Sequence, residues 1–443
     1  MIELLSVETM SMLMMAVLII VMMFGHPIAF VFGGVGLIFG YLLRGPSVMY
    51  MFTSQCMGTM DSGSLVAVVM FILMASLLVN SGIAEELFEA IRWLMGPLRG
   101  GVAIAVIMVC RIVAACTGIV GASTVAMGLA ALPVMMKYGY DKGLAAGTIC
   151  AGGTLGIMFP PSIMLIVLAD LTGLSAGKLL VGGLFPGFIL GGLYILYIAI
   201  RCGLRPELGP PLSAEERASV PVSARLKRAV RSMLAPGTLI LVVLGSIFSG
   251  ITTVREASGV GAVGSFLIVL AYRRFSWGML RDALQSTAKS VAMVMFIIVA
   301  TNCYTAVFLD FGGGKIIMDY MVASGLGKWG VFFVMMLIIF ILGMPIEWVG
   351  IVYLVIPIFL PIAVKFGMDP LWFTICVAVN LQNAFLSPPA GATMFYLLGI
   401  SKGTLTTADV FRGVIPFVIL QLIGLAICIA FPAGVLWLPN MLK

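Results

Sequence analysis

The sequence predicts an all-α polytopic membrane protein made of two inverted repeats, each carrying a re-entrant hairpin. Three observations predict it. Of 443 residues, 62% are hydrophobic and only 10% charged, with a mean hydropathy of +1.19. Soluble domains are about 25% charged, so a water-soluble enzyme, a disordered chain and a nucleic-acid binder are all excluded as classes. The apolar residues fall into runs of membrane-spanning length. Motifs from the first half of the chain return, in order, in the second.

About 20 apolar residues cross a bilayer. Runs of that kind lie at 5–24, 28–43, 64–80, 143–169 and 179–200, and again at 234–250, 256–272, 288–309, 371–397 and 413–433. No basic stretch precedes the first run, so it is expected to be retained rather than cleaved as a signal peptide. Stretches 102–136 and 329–364 are apolar, too long for one crossing, and broken near their middles by Gly or Pro. They are expected to be re-entrant hairpins, each preceded by an amphipathic interfacial segment at 83–99 and 312–328. The polar insert 201–232 is rich in Arg and Pro and reads as a linker between halves 1–200 and 233–443.

Met70-Phe71-Ile72 recurs as Met295-Phe296-Ile297, and Val35-Gly36 recurs at the same offset as Val260-Gly261. Further on, Leu132-Pro133 with Lys137, Gly139 and Asp141 recurs as Leu360-Pro361 with Lys365, Gly367 and Asp369; Pro160-Pro161 recurs as Pro388-Pro389. Such constancy indicates duplication. An odd number of crossings per half inverts the second repeat. With the linker inside by the positive-inside rule, Arg273, Arg274, Arg281 and Lys289 also fall inside, whereas 48–64 contains no Lys or Arg and falls outside. Both termini are then periplasmic. The net charge of +7 is thereby assigned to basic inner loops and not to a nucleic-acid partner.

Helix breaks in lipid are costly unless the freed backbone groups line a cavity or bind something. The breaks come in pairs: 116–124 with 153–162, and 343–350 with 380–393. Consecutive prolines leave carbonyls unpaired. With Ser, Thr, Asn and Gln oxygens they form hard-oxygen surroundings suited to Na⁺, while half-helix N-termini suit an anion. A bare kink is the competing reading of either Pro-Pro. Glu347 is open between an ion site and a helix cap. Arg111 is expected to snorkel to the interface in preference to meeting a substrate carboxylate. The single histidine, His26, reads as a loop residue. Asp170 and Asp310 read as solvated helix ends. The eight cysteines form no CxxC pair and read as small packing residues, and one histidine leaves no transition-metal or triad site. No Walker A pattern and no nucleophile–base pair occurs, so neither ATP-driven pumping nor catalysis is expected.

The stretches TGIVGAS (117–123), LPVMMKYGYDKGLAAGTICAGGTLGIMFPPSI (132–163), GMPIEWVGIVYLVIPIFLPI (343–362), LQNAFLSPPAGATMFYLLGI (381–400) and FRGVIPFVILQLIGLAI (411–427) resemble the large membrane (permease) subunit of tripartite ATP-independent periplasmic (TRAP) transporters, of the dicarboxylate type. The resemblance spans most of the chain. It implies an elevator-type secondary transporter, akin to the ion-transporter superfamily, that imports an organic acid by sodium symport across the bacterial inner membrane. It implies a small four-helix membrane subunit, expected here as a separate chain, and a periplasmic substrate-binding protein. By motif, one sodium site would involve Thr117, Gly118, Ser123, Thr154, Pro160, Pro161 and Ser162. The second would involve Gly343, Glu347, Gly350, Asn380, Gln382, Ser387, Pro388 and Pro389. The substrate would lie between the hairpin turns, near Gly121, Ser123, Thr124, Asn383 and Thr393. The chain departs from the family pattern at Arg255, Ala384 and Ala390, which bears on the substrate and one ion contact. A stand-alone Na⁺-coupled anion symporter or antiporter of the same plan is the alternative, and a channel or membrane enzyme the more distant one.

Overall fold

The computed structural model describes residues 7–117, 120–213, 221–344, 346–388 and 391–442. Among these there is no strand, and nine helices are long and apolar enough to cross a membrane. The first half contains α1 (Val7–Met23), α2 (Ile28–Arg44), α3 (Val48–Met60), α4 (Gly63–Asn80), α5 (Ile83–Met95), the pair α6 (Gly101–Thr117) and α7 (Val120–Lys137), the broken helix α8 (Lys142–Thr154) and α9 (Ile163–Thr172), and α10 (Ala176–Leu204). The second contains α11 (Val222–Phe248), α12 (Val254–Ala271), α13 (Trp277–Asp310), α14 (Gly313–Ala323), the pair α15 (Gly327–Leu342) and α16 (Trp348–Lys365), the broken helix α17 (Pro370–Leu386) and α18 (Ala392–Ile400), α19 (Thr407–Ala430) and α20 (Pro432–Met441).

The repeated Lys-x-Gly-x-Asp has a local explanation. Lys137 and Lys365 occupy the last turns of α7 and α16, where a cation suits the carbonyl end of the helix dipole. Gly139 (φ +72°) and Gly367 (φ +69°) follow in the left-handed conformation that terminates helices. The Tyr140 and Met368 N–H groups close six-residue turns on the Met135 and Ala363 carbonyls, at 3.0 Å each. Asp141 and Asp369 then cap the next helices, accepting from Leu144 N and Trp372 N at 2.8 Å. Asp369→Ala should cost about 1 kcal/mol, read as a lower unfolding temperature of the purified protein.

The two halves interlock at the breaks. In each half, the helix that follows the break packs on the second helix of the other half's pair: α18 on α7, and α9 on α16. Helix α8 crosses α19 at glycine. A Cβ at Gly413 would sit 2.1 Å from the Gly143 carbonyl oxygen, and one at Gly147 would sit 2.1 Å from that of Gly413. Such close backbone approach is typical of helix packing in lipid, where small residues replace the missing hydrophobic drive.

Several boundaries differ from the sequence reading. Helix α13 begins at Trp277 rather than near 288, because Ser276 caps it (Met279 N to Ser276 Oγ, 3.1 Å). At 34 residues and about 1.5 Å each, it projects well beyond a hydrocarbon core of about 30 Å. Segment 48–60, left outside the predicted crossings, is a helix. The linker is shorter than 201–232, since α10 runs to Leu204 and α11 starts at Val222. Its described part is tied down: Leu208 O accepts from Asp141 N (3.0 Å), Gly209 O from Gly100 N (2.8 Å), and Leu212 N donates to Gly96 O (2.9 Å). Asp170 and Asp310 are partnered rather than merely solvated. Arg44 meets Asp310 at 2.5 Å, and Ser62 Oγ donates to Asp170 at 3.0 Å.

Candidate functional site

All four breaks reach one cavity. The start of α7 contributes Val120 and Gly121, the first broken helix Ile157 and Ile163, the turn before α16 Glu347 with Trp348, and the second broken helix Phe385 and Tyr396. Ser290 and Met293 of α13 complete the wall. Gly121 packs closely on Tyr396, whose ring a Cβ there would approach to 3.1 Å. Glu347 is the only ionisable acid or base among the described wall residues apart from the Tyr396 phenol. It occupies the N-cap position of α16 but makes no capping hydrogen bond. Two adjoining cavities also reach its side chain, and His26 lines one of them.

At the first break, α8 ends at Thr154, passes through a tight turn at Leu155–Ile157, and resumes as α9 after Pro160-Pro161. Ser162 caps α9, accepting from Leu165 N at 3.3 Å, while its hydroxyl donates to the Ile157 carbonyl. Thr154 donates to Ala151 O (2.8 Å) and Thr124 to Val120 O (2.8 Å). At the second break, Ser387 donates to Asn383 O (2.7 Å) and Thr393 to Phe385 O (2.7 Å). These five hydroxyls are fully or nearly fully buried. Each has committed its hydrogen to the backbone, and such a hydroxyl presents only lone pairs to its surroundings.

The two breaks meet at Thr154. Its carbonyl accepts from Gln382 Nε2 at 3.4 Å, and its hydroxyl accepts from Gln421 Nε2 at 3.2 Å. The Oε1 atoms of Gln382 and Gln421 and both amide atoms of Asn383 are buried without a hydrogen-bond partner. A buried unpaired polar group costs about 1–3 kcal/mol, and these orphans are gathered where the two helix breaks meet. Gln421 of α19 was missed in the sequence; its only signal was a lone amide in an apolar run.

Other expected site residues are placed less centrally. Asn380 commits its amide to Met336 O (2.7 Å), Gly350 packs on Phe32, and Gly343 packs on Ala384. Ser123, Thr124, Asn383 and Thr393 are fully buried, and the cavity wall is built by other residues. Thr117 closes α6, while Gly118 and Pro389 lie outside the described residues. Pro160 and Pro161 are buried at the first break, and Pro388 borders the second. Arg111 is held by aromatic rings. Its guanidinium stacks on Phe159 (5.3 Å) and Phe188 (5.2 Å), donates to Phe188 O (3.2 Å), and occupies the space left by the missing side chain of Gly191. It thereby fastens α6 to the chain just ahead of Pro160.

A helical membrane protein with this arrangement has the fold of a transporter. The solved structure of the Alcanivorax borkumensis YdaH transporter superposes with a TM-score of 0.63 over 89% of this chain and 90% of that one, at 13% identity. MtrF of Neisseria gonorrhoeae superposes with a TM-score of 0.58 over 90% and 85%, at 14% identity. The chain belongs to the tripartite ATP-independent periplasmic transporter family, DctM component, whose family model matches residues 15–434. It is 31% identical over 404 residues, 90% of this chain and 92% of the relative, to the C4-dicarboxylate TRAP transporter large permease protein DctM of Pseudomonas aeruginosa. It is 26% identical, over 94% of this chain and 95% of the relative, to the ectoine/5-hydroxyectoine TRAP transporter large permease protein UehC of Ruegeria pomeroyi.

Proposed function

We propose that this chain is the large permease subunit of a sodium-driven importer of an organic acid in a bacterial inner membrane, working with a small four-helix membrane subunit and a periplasmic substrate-binding protein. Family membership and the names of the relatives support the acid and the two partners. One observation supports the sodium. The cavity where the breaks meet has an acidic wall, with no Lys, Arg or His among its described residues. An anionic substrate entering beside Glu347 would place like charges together in a low dielectric. A cation entering with it would offset that repulsion, and the buried hydroxyls and orphaned amide oxygens are suited to hold one that is small and hard. In this reading the two helix pairs are re-entrant hairpins opening to opposite faces of inverted repeats. They move together with the broken helices against a scaffold of outer helices, carrying ion and acid as an elevator.

The test is uptake into vesicles holding the permease and the small subunit, with the binding protein outside. Accumulation should require the binding protein and sodium together. Uptake that persists without the binding protein would favour a stand-alone symporter. Ser162→Ala or Ser387→Ala should raise the sodium concentration for half-maximal uptake several-fold, because each removes one lone-pair donor. Unchanged sodium dependence in both variants would remove these serines from the ion sites.

A further inference from the structure

A second site lies apart from the cavity, and we propose that it binds the phosphate headgroup of an anionic membrane phospholipid. The residues come from three separate segments. Arg228 and Arg231 lie near the start of α11, Tyr272, Arg273 and Arg274 at the end of α12, and Glu86 on α5; together they line an open cleft. The charge pattern assigns all three segments to the inner face of the membrane. Only Arg274 has a described carboxylate partner, Glu86 at 3.3 Å. Three guanidiniums are therefore left facing the cleft without an acidic partner among the described residues. Guanidinium forks match phosphate oxygens in geometry and charge, and basic pockets between helices on the cytoplasmic side are where anionic headgroups bind.

Arg273 adds an independent argument. It adopts a left-handed backbone (φ +55°), and Arg274 N closes a six-residue turn on Val269 O at 3.0 Å. At the equivalent turns after α7 and α16 the chain places Gly139 and Gly367. Here it places a side chain that this conformation disfavours. The backbone turn does not need that side chain, whereas an anion in the cleft does. The helices that carry these arginines also expose apolar side chains to the bilayer, with Leu234 and Leu241 on α11 60% and 73% exposed and Val263 on α12 60% exposed, so acyl chains have apolar surface on the same two helices. A soluble phosphate would use the arginines but not that apolar surface, which is why a lipid is the ligand assigned.

The experiment measures thermal stability and lipid retention by native mass spectrometry for the purified full chain in detergent. The probes are cardiolipin, phosphatidylglycerol, phosphatidylcholine and inorganic phosphate. Cardiolipin and phosphatidylglycerol should raise the unfolding temperature by several degrees; phosphatidylcholine and millimolar phosphate should not. Arg273→Gly should unfold at the same or a higher temperature without lipid, yet lose at least half of the lipid-induced shift. Arg228→Gln with Arg231→Gln should lose most of it. Equal shifts with phosphatidylcholine, or full shifts retained in all these variants, would overturn the proposal. So would inorganic phosphate alone reproducing the effect. Lipid displaced when the small subunit binds, with the arginines crosslinking to its acidic residues, would make the cleft a protein interface and equally overturn it.

Discussion

Glu347→Gln should abolish sodium-driven accumulation at ordinary sodium concentrations, whereas Glu347→Asp should retain part of it. The substitution keeps the size of the side chain and removes its charge. A cation about 4 Å from a carboxylate gains about 4 kcal/mol at an effective dielectric of about 20. Desolvation returns part of that, leaving an expected loss of one to two powers of ten in apparent sodium affinity. The fold should be unaffected, because Glu347 makes no capping hydrogen bond whose removal would destabilise α16. Binding of the substrate-loaded binding protein should also survive. Full uptake by the Gln variant with unchanged sodium dependence would mean that the carboxylate is outside the ion pathway.

The second large effect is structural. Gly413→Leu should prevent the protein from accumulating as a stable species, with Gly147→Val close behind. Overpacking a core costs about 1–3 kcal/mol when side chains can rotate aside. Here the added atoms meet backbone carbonyls at 2.1 Å, and backbone cannot rotate aside without separating α8 from α19. Those helices carry Thr154 and Gln421, which are hydrogen-bonded to each other, so any surviving Gly413→Ala protein should also show weakened sodium dependence. Gly192→Ala is the control. A Cβ there meets nothing within 4 Å, and stability should be unchanged. Expression and unfolding temperature in detergent check all four variants.

Much of this was legible in the sequence because membrane physics leaves few options. Apolar runs of fixed length mark crossings, and Pro-Pro within such a run must interrupt a helix. The repeated Lys-x-Gly-x-Asp was visible as a pattern; its reason, a left-handed glycine closing one helix and an aspartate opening the next, needed the backbone. Helix α3 escaped because Thr53, Ser54, Gln55 and Thr59 dilute its apolar character below that of a crossing. The early start of α13 escaped because a capped, charged extension outside lipid leaves no hydropathy signal. At the site, residue types near the breaks were readable, but partners were not. Nothing in the linear pattern links Gln421 to Thr154, or shows that Asn380 spends its amide on Met336. The ring contacts of Arg111 were hidden for a related reason, since Phe159 and Phe188 lie far from it along the chain.

The proposed function requires that a small cation accompany the acid into a cavity whose wall is itself acidic. Its most direct measurement is accumulation of radiolabelled acid by vesicles containing the permease and small subunit, with loaded binding protein outside and membrane potential clamped at zero. An inward sodium gradient should drive accumulation above the outside concentration, and replacing sodium by potassium on both sides should reduce it to background. Equal accumulation in potassium alone would contradict the account.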